Sequence, residues 1–218
     1  MITLEDQDSV FRTVAQKIKK DLVCYAFGGN AMMYYGYKEQ TKDIDILFEK
    51  EEDRREFVRA LLDIGYKKIS LSQIYSEKQI QDPHKPEMYM FKDERFDLFV
   101  GKIFQMYLTA SMKERTWGKY EYRLSGKNIT VYVLAKEDIL LLKSVTQRER
   151  DFDDIKIIVE KETSIDWNAI IEEAITQYHL GNQWTLLDLE ECLQKIKEFT
   201  YLKKEYFDRL YSVFTKKK

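Results

Sequence analysis

Phe27-Gly28-Gly29-Asn30-Ala31, followed a short distance on by Thr41-Lys42-Asp43-Ile44-Asp45-Ile46-Leu47-Phe48, is the pair of stretches whose reading decides the fold. Before the glycines, Leu22-Val23-Cys24-Tyr25-Ala26-Phe27 is a run of strand formers, which Gly28 and Gly29 close. Asn30 then suits the N-cap of a short helix over about 31–35. In the second stretch strict alternation puts Ile44, Ile46 and Phe48 on one face of a strand and Asp43 and Asp45 on the other. Carboxylates two residues apart on one strand lie roughly 7 Å apart at the backbone, close enough to ligate one or two Mg²⁺ ions. The glycine pair offers a polyphosphate backbone N–H groups with no Cβ in the way. The segment between Gly29 and Asp43 has room for one short helix and a return, so the bend and the acidic strand end can meet.

Outward from this centre the pattern stays mixed. An amphipathic helix is expected from Leu4 to Lys20, with Val10, Phe11, Val14, Ala15 and Ile18 as its apolar face. Another is expected over 51–63, buried through Phe57, Val58, Leu61 and Leu62, then Gly65 as terminator and a strand from Tyr66 to Leu71. Glu87–Phe91 and Phe96–Val100 read as strands joined by a turn over Lys92–Arg95; the second carries Asp97, a third carboxylate able to serve as general base or metal ligand. Residues 120–124 and 129–134 form a further hairpin through Ser125-Gly126-Lys127-Asn128. From Lys136 the period turns helical and stays so in five apolar-striped segments. The expected class is α/β of the α+β kind: a mixed sheet with flanking helices over 1–135, then an all-helical lobe over 136–218.

Composition sets the outer bounds. The 218 residues carry 36 Lys and Arg against 38 Asp and Glu, a formal charge of −2, so the chain is not a polybasic coat for nucleic acid. Hydrophobic residues make up 44%, enough for an ordinary core. Two cysteines, Cys24 and Cys192, cannot build a disulfide framework or a thiolate cluster, and His84 and His179 lack a second histidine at ligand spacing. With an acidic start and no apolar run of about 18 residues, the expectation is a cytoplasmic protein. Local basic character remains at 102–127, where Lys102, Lys113, Arg115, Lys119, Arg123 and Lys127 are interleaved with Trp117, Tyr120 and Tyr122; such a mixture suits single-stranded nucleic acid, and equally a solvated sheet face over core aromatics. The tail, ending in Lys216, Lys217 and Lys218, reads as a soluble terminus.

Taken together, Phe27-Gly28-Gly29-Asn30-Ala31, Asp43-Ile44-Asp45 and the later Phe96-Asp97-Leu98 resemble the nucleotidyltransferase superfamily, with its polymerase beta-like fold. Glu137–Lys143 followed by Arg148–Asp154 is similar to a segment of the AbiEii-like branch, which includes toxins of toxin–antitoxin systems. The resemblance spans about residues 22–160. It implies that Gly28, Gly29 and Asn30 hold nucleotide phosphates, that Asp43, Asp45 and Asp97 are the catalytic and Mg²⁺-binding triad, and that Lys143, Arg148, Asp151 and Asp154 serve the nucleotide. It further implies nucleotide transfer from an NTP to RNA, tRNA included, to protein or to a small molecule, with an antitoxin protein as partner where the chain is a toxin. A second reading stays open: a non-catalytic binding or regulatory module that keeps the fold.

Overall fold

A computed structural model describes residues 1–75, 77–146 and 148–215, so the three terminal lysines of the basic tail lie outside it. The chain divides into two compact units, Met1–Leu134 and Ala135–Lys218.

The first unit contains strands β1 (Ile2–Thr3), β2 (Leu22–Phe27), β3 (Gln40–Thr41), β4 (Ile44–Phe48), β5 (Lys67–Ile69), β6 (Glu87–Phe91), β7 (Glu94–Val100), β8 (Lys102–Ile103), β9 (Met106–Tyr107), β10 (Gly118–Leu124) and β11 (Lys127–Val133). Its helices are α1 (Leu4–Ala15), α2 (Gly28–Tyr34), α3 (Glu51–Asp63), α4 (Glu77–Gln81) and α5 (Ala110–Glu114), with a 3₁₀ turn at Leu71–Gln73. Seven strands run in the order β10-β11-β2-β4-β7-β6-β5, with β8 and β9 continuing from β7 and β1 pairing β3 separately. The β11–β2 and β4–β7 pairs are parallel, the others antiparallel, so the sheet is mixed.

Alternation along β4 and β7 separates the sheet's two faces. Ile44, Ile46, Phe48, Phe96 and Leu98 are fully buried, and Phe48 and Phe96 meet Phe57 of α3 at 5.4 and 5.5 Å between ring centroids. Phe11 of α1 joins them, 6.0 Å from Phe57 and 6.1 Å from Phe96. Truncating any of these rings to Ala costs about 3–5 kcal/mol. The opposite face holds Asp43, Asp45 and Asp97, beside Phe27 and Phe99, whose rings pack edge-on at 5.5 Å.

Local chemistry explains where the elements differ from expectation. Helix α1 starts under a capping box in which Thr3 and Asp6 bond each other's backbone N–H, and it ends at Ala15 rather than Lys20. Helix α3 keeps its expected span, but its buried stripe is Phe57, Ala60 and Leu61, with Leu62 51% exposed and Val58 only half-buried. The β6–β7 turn is Lys92-Asp93 alone, Lys92 taking a left-handed φ of 53°, so Glu94 and Arg95 belong to β7. Ser125 and Gly126, both left-handed, make the tight β10–β11 turn. Short elements with too little periodicity to announce themselves, α4, α5, β8 and β9, fill the connections.

The second unit is all helical: α6 (Lys136–Ser144), α7 (Glu149–Lys161), α8 (Trp167–His179), α9 (Thr185–Ile196) and α10 (Lys204–Thr215). Helix α6 is buried from Asp138 to Ser144 and packs with α7, α8 and α9, as a helix apolar on nearly all sides must. The Asp166 side chain accepts from the Ala169 N–H and caps α8. Both cysteines are buried, and none of the helices in the described residues is long and apolar enough to cross a membrane.

Candidate active site

The parallel β4–β7 register sets Asp45 directly beside Asp97. Asp43 stands two residues before Asp45, and the guanidinium of Arg95 on β7 joins it to the pair: Arg95 Nη2 bonds Asp43 Oδ2, Nε donates to Asp97 Oδ1 at 2.8 Å, and Nη2 reaches Asp97 Oδ2 at 3.3 Å. From the other side the Tyr75 hydroxyl donates to Asp97 Oδ2 at 2.6 Å. The three expected acids are therefore drawn to one patch of one sheet face.

The glycine bend faces the same patch. Phe27, its last strand residue, pairs with Asp45 in the antiparallel β2–β4 ladder, and Gly28 follows with φ +64°. A Cβ on Gly28 would fall 2.2 Å from Asp45 Oδ2, and one on Gly29 would fall 2.4 Å from Thr41 Oγ1. Both positions thus exclude a side chain, Gly28 by backbone conformation as well as by contact.

Asn30 does not cap the helix as expected. Helix α2 begins two residues earlier, at Gly28, and Asn30 lies fully buried in its first turn. Its Oδ1 accepts the Asp45 N–H at 3.0 Å, which orients the amide and ties the bend to the acidic strand, while Nδ2 is buried without an acceptor. A buried donor left unmade costs about 1–3 kcal/mol, so a polar ligand at this place would gain by it.

The electrostatics follow from burial. Asp97 is 1% exposed, and burial raises its carboxyl above the usual range, against the pull of Arg95 and the Tyr75 hydroxyl. Burial also works against the Arg95 charge, but Asp97 and Asp43 outweigh it and keep the guanidinium protonated. Tyr75 is pushed upward by burial and then by Asp97 and Asp45, so it remains a phenol and a donor. Hard carboxylate oxygens are the donor chemistry a Mg²⁺ ion takes. Among the described residues no three His, Cys, Asp or Glu side chains are placed to hold a metal ion together. Magnesium ordinarily binds through one or two carboxylates completed by substrate phosphates and water, so Asp43 and Asp45 beside the Gly28 cradle fit it.

The residues expected to serve the nucleotide from the helical unit form a cluster of their own. Lys143 Nζ donates to Asp151 Oδ1 at 3.0 Å and to Asp154 Oδ2 at 2.6 Å, all three buried. Arg148 Nε and the Thr146 hydroxyl each reach Asp151 Oδ2 at 2.6 Å. Burial pushes the Asp151 carboxyl up, yet Lys143, Thr146 and Arg148 together hold it below its usual value. Several cations of the 102–127 stretch are likewise paired: Lys113 with Glu49, and Lys119 and Arg123 with Glu121. Trp117, half exposed, stacks on Tyr35 at 4.3 Å.

Two members of the site were not anticipated. Arg95 could have been found, because it lies two residues before Asp97 and shares its face by alternation, had the turn not been drawn over it. Tyr75 follows a single 3₁₀ turn in a connection without periodicity, and nothing in the local sequence marks it.

No protein-family model matches the chain, and no curated protein matches it in sequence. Among solved structures it is similar to ANT(2")-Ia in complex with adenylyl-2"-tobramycin, at 13% identity and a TM-score of 0.47, over 80% of this chain and 99% of the other. It is also similar to a protein from H. pylori provisionally named a nucleotidyltransferase, at 12% identity and a TM-score of 0.42, over 90% and 97%. Neither likeness reaches a level that transfers an activity.

Proposed function

We propose that the chain is a Mg²⁺-dependent nucleotidyltransferase that moves a nucleoside monophosphate from an NTP to an acceptor hydroxyl and releases pyrophosphate. The observation that carries this is the in-register pair Asp45 and Asp97 with Gly28 pressed against Asp45. Asp43 and Asp45, with Asp97 as a further ligand, would hold the ion, which when bound neutralises triphosphate charge. Gly28 and Gly29 leave the phosphates room, and Asn30 Nδ2 is a buried donor in need of an acceptor. Asp97, its proton affinity raised by burial, suits the base that takes the acceptor's proton. Lys143, Arg148, Asp151 and Asp154 bond one another within the helical unit, so this reading rests on the residues of the sheet unit alone.

The acceptor belongs to RNA, tRNA included, to a protein or to a small molecule; a toxin held by a cognate antitoxin is the special case in which expression arrests growth and Asp43→Ala relieves it. The test incubates the protein with radiolabelled NTPs, Mg²⁺ and total cellular RNA or lysate. Label should transfer with wild type and fall about 10²–10³-fold with Asp43→Ala or Asp45→Ala, as expected when electrostatic stabilisation of the reacting phosphate is removed. Equal labelling by all three proteins counts against the proposal. One observation favours the non-catalytic module instead: Arg95 already neutralises Asp43 and Asp97. Calorimetric titration separates the two, since the module would bind no Mg²⁺–NTP.

A further inference from the structure

The geometry points to Tyr75 as a positioning residue for Asp97, an inference that rests on the nucleotidyltransferase reading and deepens it. Asp97 Oδ2 accepts the Tyr75 hydroxyl at 2.6 Å while Oδ1 accepts Arg95 Nε at 2.8 Å, so each oxygen of one carboxylate is held by a donor from a different part of the chain. The group cannot turn without breaking one of two charge-assisted bonds. A carboxylate has about four acceptor positions, and with Arg95 Nη2 also reaching Oδ2 at 3.3 Å, Oδ1 keeps capacity for a further partner while the carboxylate plane is fixed.

The phenol is itself fixed. Its ring meets Phe104 edge-on at 5.5 Å, Phe104 meets Phe99 at 5.3 Å, and Phe99 meets Phe27 at 5.5 Å, giving a line of four rings from Asp97 to the residue before the glycine bend. Phe104 holds a left-handed φ of 52° at the tip between β8 and β9. For a bulky side chain that backbone is strained and persists only where its surroundings impose it. The tight β8–β9 turn imposes it, and places the Phe104 ring against both Tyr75 and Phe99.

Groups that hydrogen-bond a ligating carboxylate typically govern metal affinity by about 10–100-fold. Electron paramagnetic resonance titration with Mn²⁺ on the full chain reads this without any turnover. Tyr75→Phe, which keeps the ring against Phe104, should weaken Mn²⁺ binding about 10-fold with little change in thermal midpoint, and Phe104→Leu should weaken it less. In metal-free protein the Tyr75 hydroxyl proton should give a slowly exchanging NMR signal, absent in Tyr75→Phe and displaced in Asp97→Asn. Wild type that binds Mn²⁺ alongside a Tyr75→Phe protein that binds it equally or more tightly overturns the inference while leaving the enzymatic reading in place. So does a Tyr75→Phe protein that only melts lower. A folded wild type that binds no Mn²⁺ removes both.

Discussion

Two ion-paired clusters in this chain are made of the same parts. In the sheet unit, Arg95 bridges Asp43 and Asp97; in the helical unit, Lys143 bridges Asp151 and Asp154. What differs is the surplus. The helical cluster is closed by Thr146 and Arg148, which complete Asp151. The sheet cluster has a further acid, Asp45, a glycine bend where a methyl group at Gly28 meets Asp45, and an Asn30 Nδ2 buried without an acceptor. A cation with two carboxylates is thus a strut in one place and the frame of a site in the other; the glycine bend and the buried Asn30 Nδ2 tell them apart, not the acids themselves.

The sharpest way to break the comparison is to remove each cation. Lys143→Met leaves two buried carboxylates without their cation and should lower stability by about 3–5 kcal/mol in urea unfolding, and Arg95→Met, which strips the buried Asp97 and the half-buried Asp43, should lower it by less. Adding Mg²⁺ should restore part of the loss in Arg95→Met, because an ion that binds only the folded state stabilises it, and none in Lys143→Met. Equal rescue, or none in either, would erase the distinction.

The glycine bend gives the next largest effect. Gly28→Ala places a methyl group on Asp45, and Gly36→Ala carries the same left-handed strain, φ +73°, with nothing within 4 Å of its Cβ. Both should melt lower, Gly28→Ala the more because its methyl group also displaces Asp45, and nucleotide transfer should fall about 100-fold in Gly28→Ala alone, the cost of displacing a reacting group by about 1 Å. Comparable transfer rates in the two variants would detach the bend from the chemistry.

Acidification gives the smallest effect. Asp151 titrates below its usual value in the folded chain, so its ion pairs stabilise fully above that value, near 3.8, and are lost as pH falls through the lower folded one. Circular dichroism melts from pH 5 to 2 should show wild type losing stability below about pH 4, with a shallower loss in Lys143→Met. Parallel slopes would mean the cluster contributes little.

Much of this was legible in the sequence because strand alternation is a strong signal. Ile44, Ile46 and Phe48 against Asp43 and Asp45 gave the strand, its faces and its acids at once, and Gly28 with Gly29 marked the bend. The convergence of Asp97 with Asp45 required a strand order that no local pattern encodes. Leu62 was read as buried because an apolar residue at helical spacing resembles a core position; the face of α3 that is buried is instead the one carrying Phe57, Ala60 and Leu61. Asn30 was read as a cap because caps and site amides share a chemistry, and only the register of β2 on β4 distinguishes them.

The two cysteines have a practical consequence. Cys24 is fully shielded and Cys192 nearly so, and burial pushes both thiols up, Cys192 to about 12. At neutral pH neither presents a thiolate to a maleimide reagent. A single thiol introduced at the exposed hairpin tip, Ser125→Cys, should therefore take a fluorophore alone, turning the native chain into a site-specific reporter without first stripping its own sulfurs.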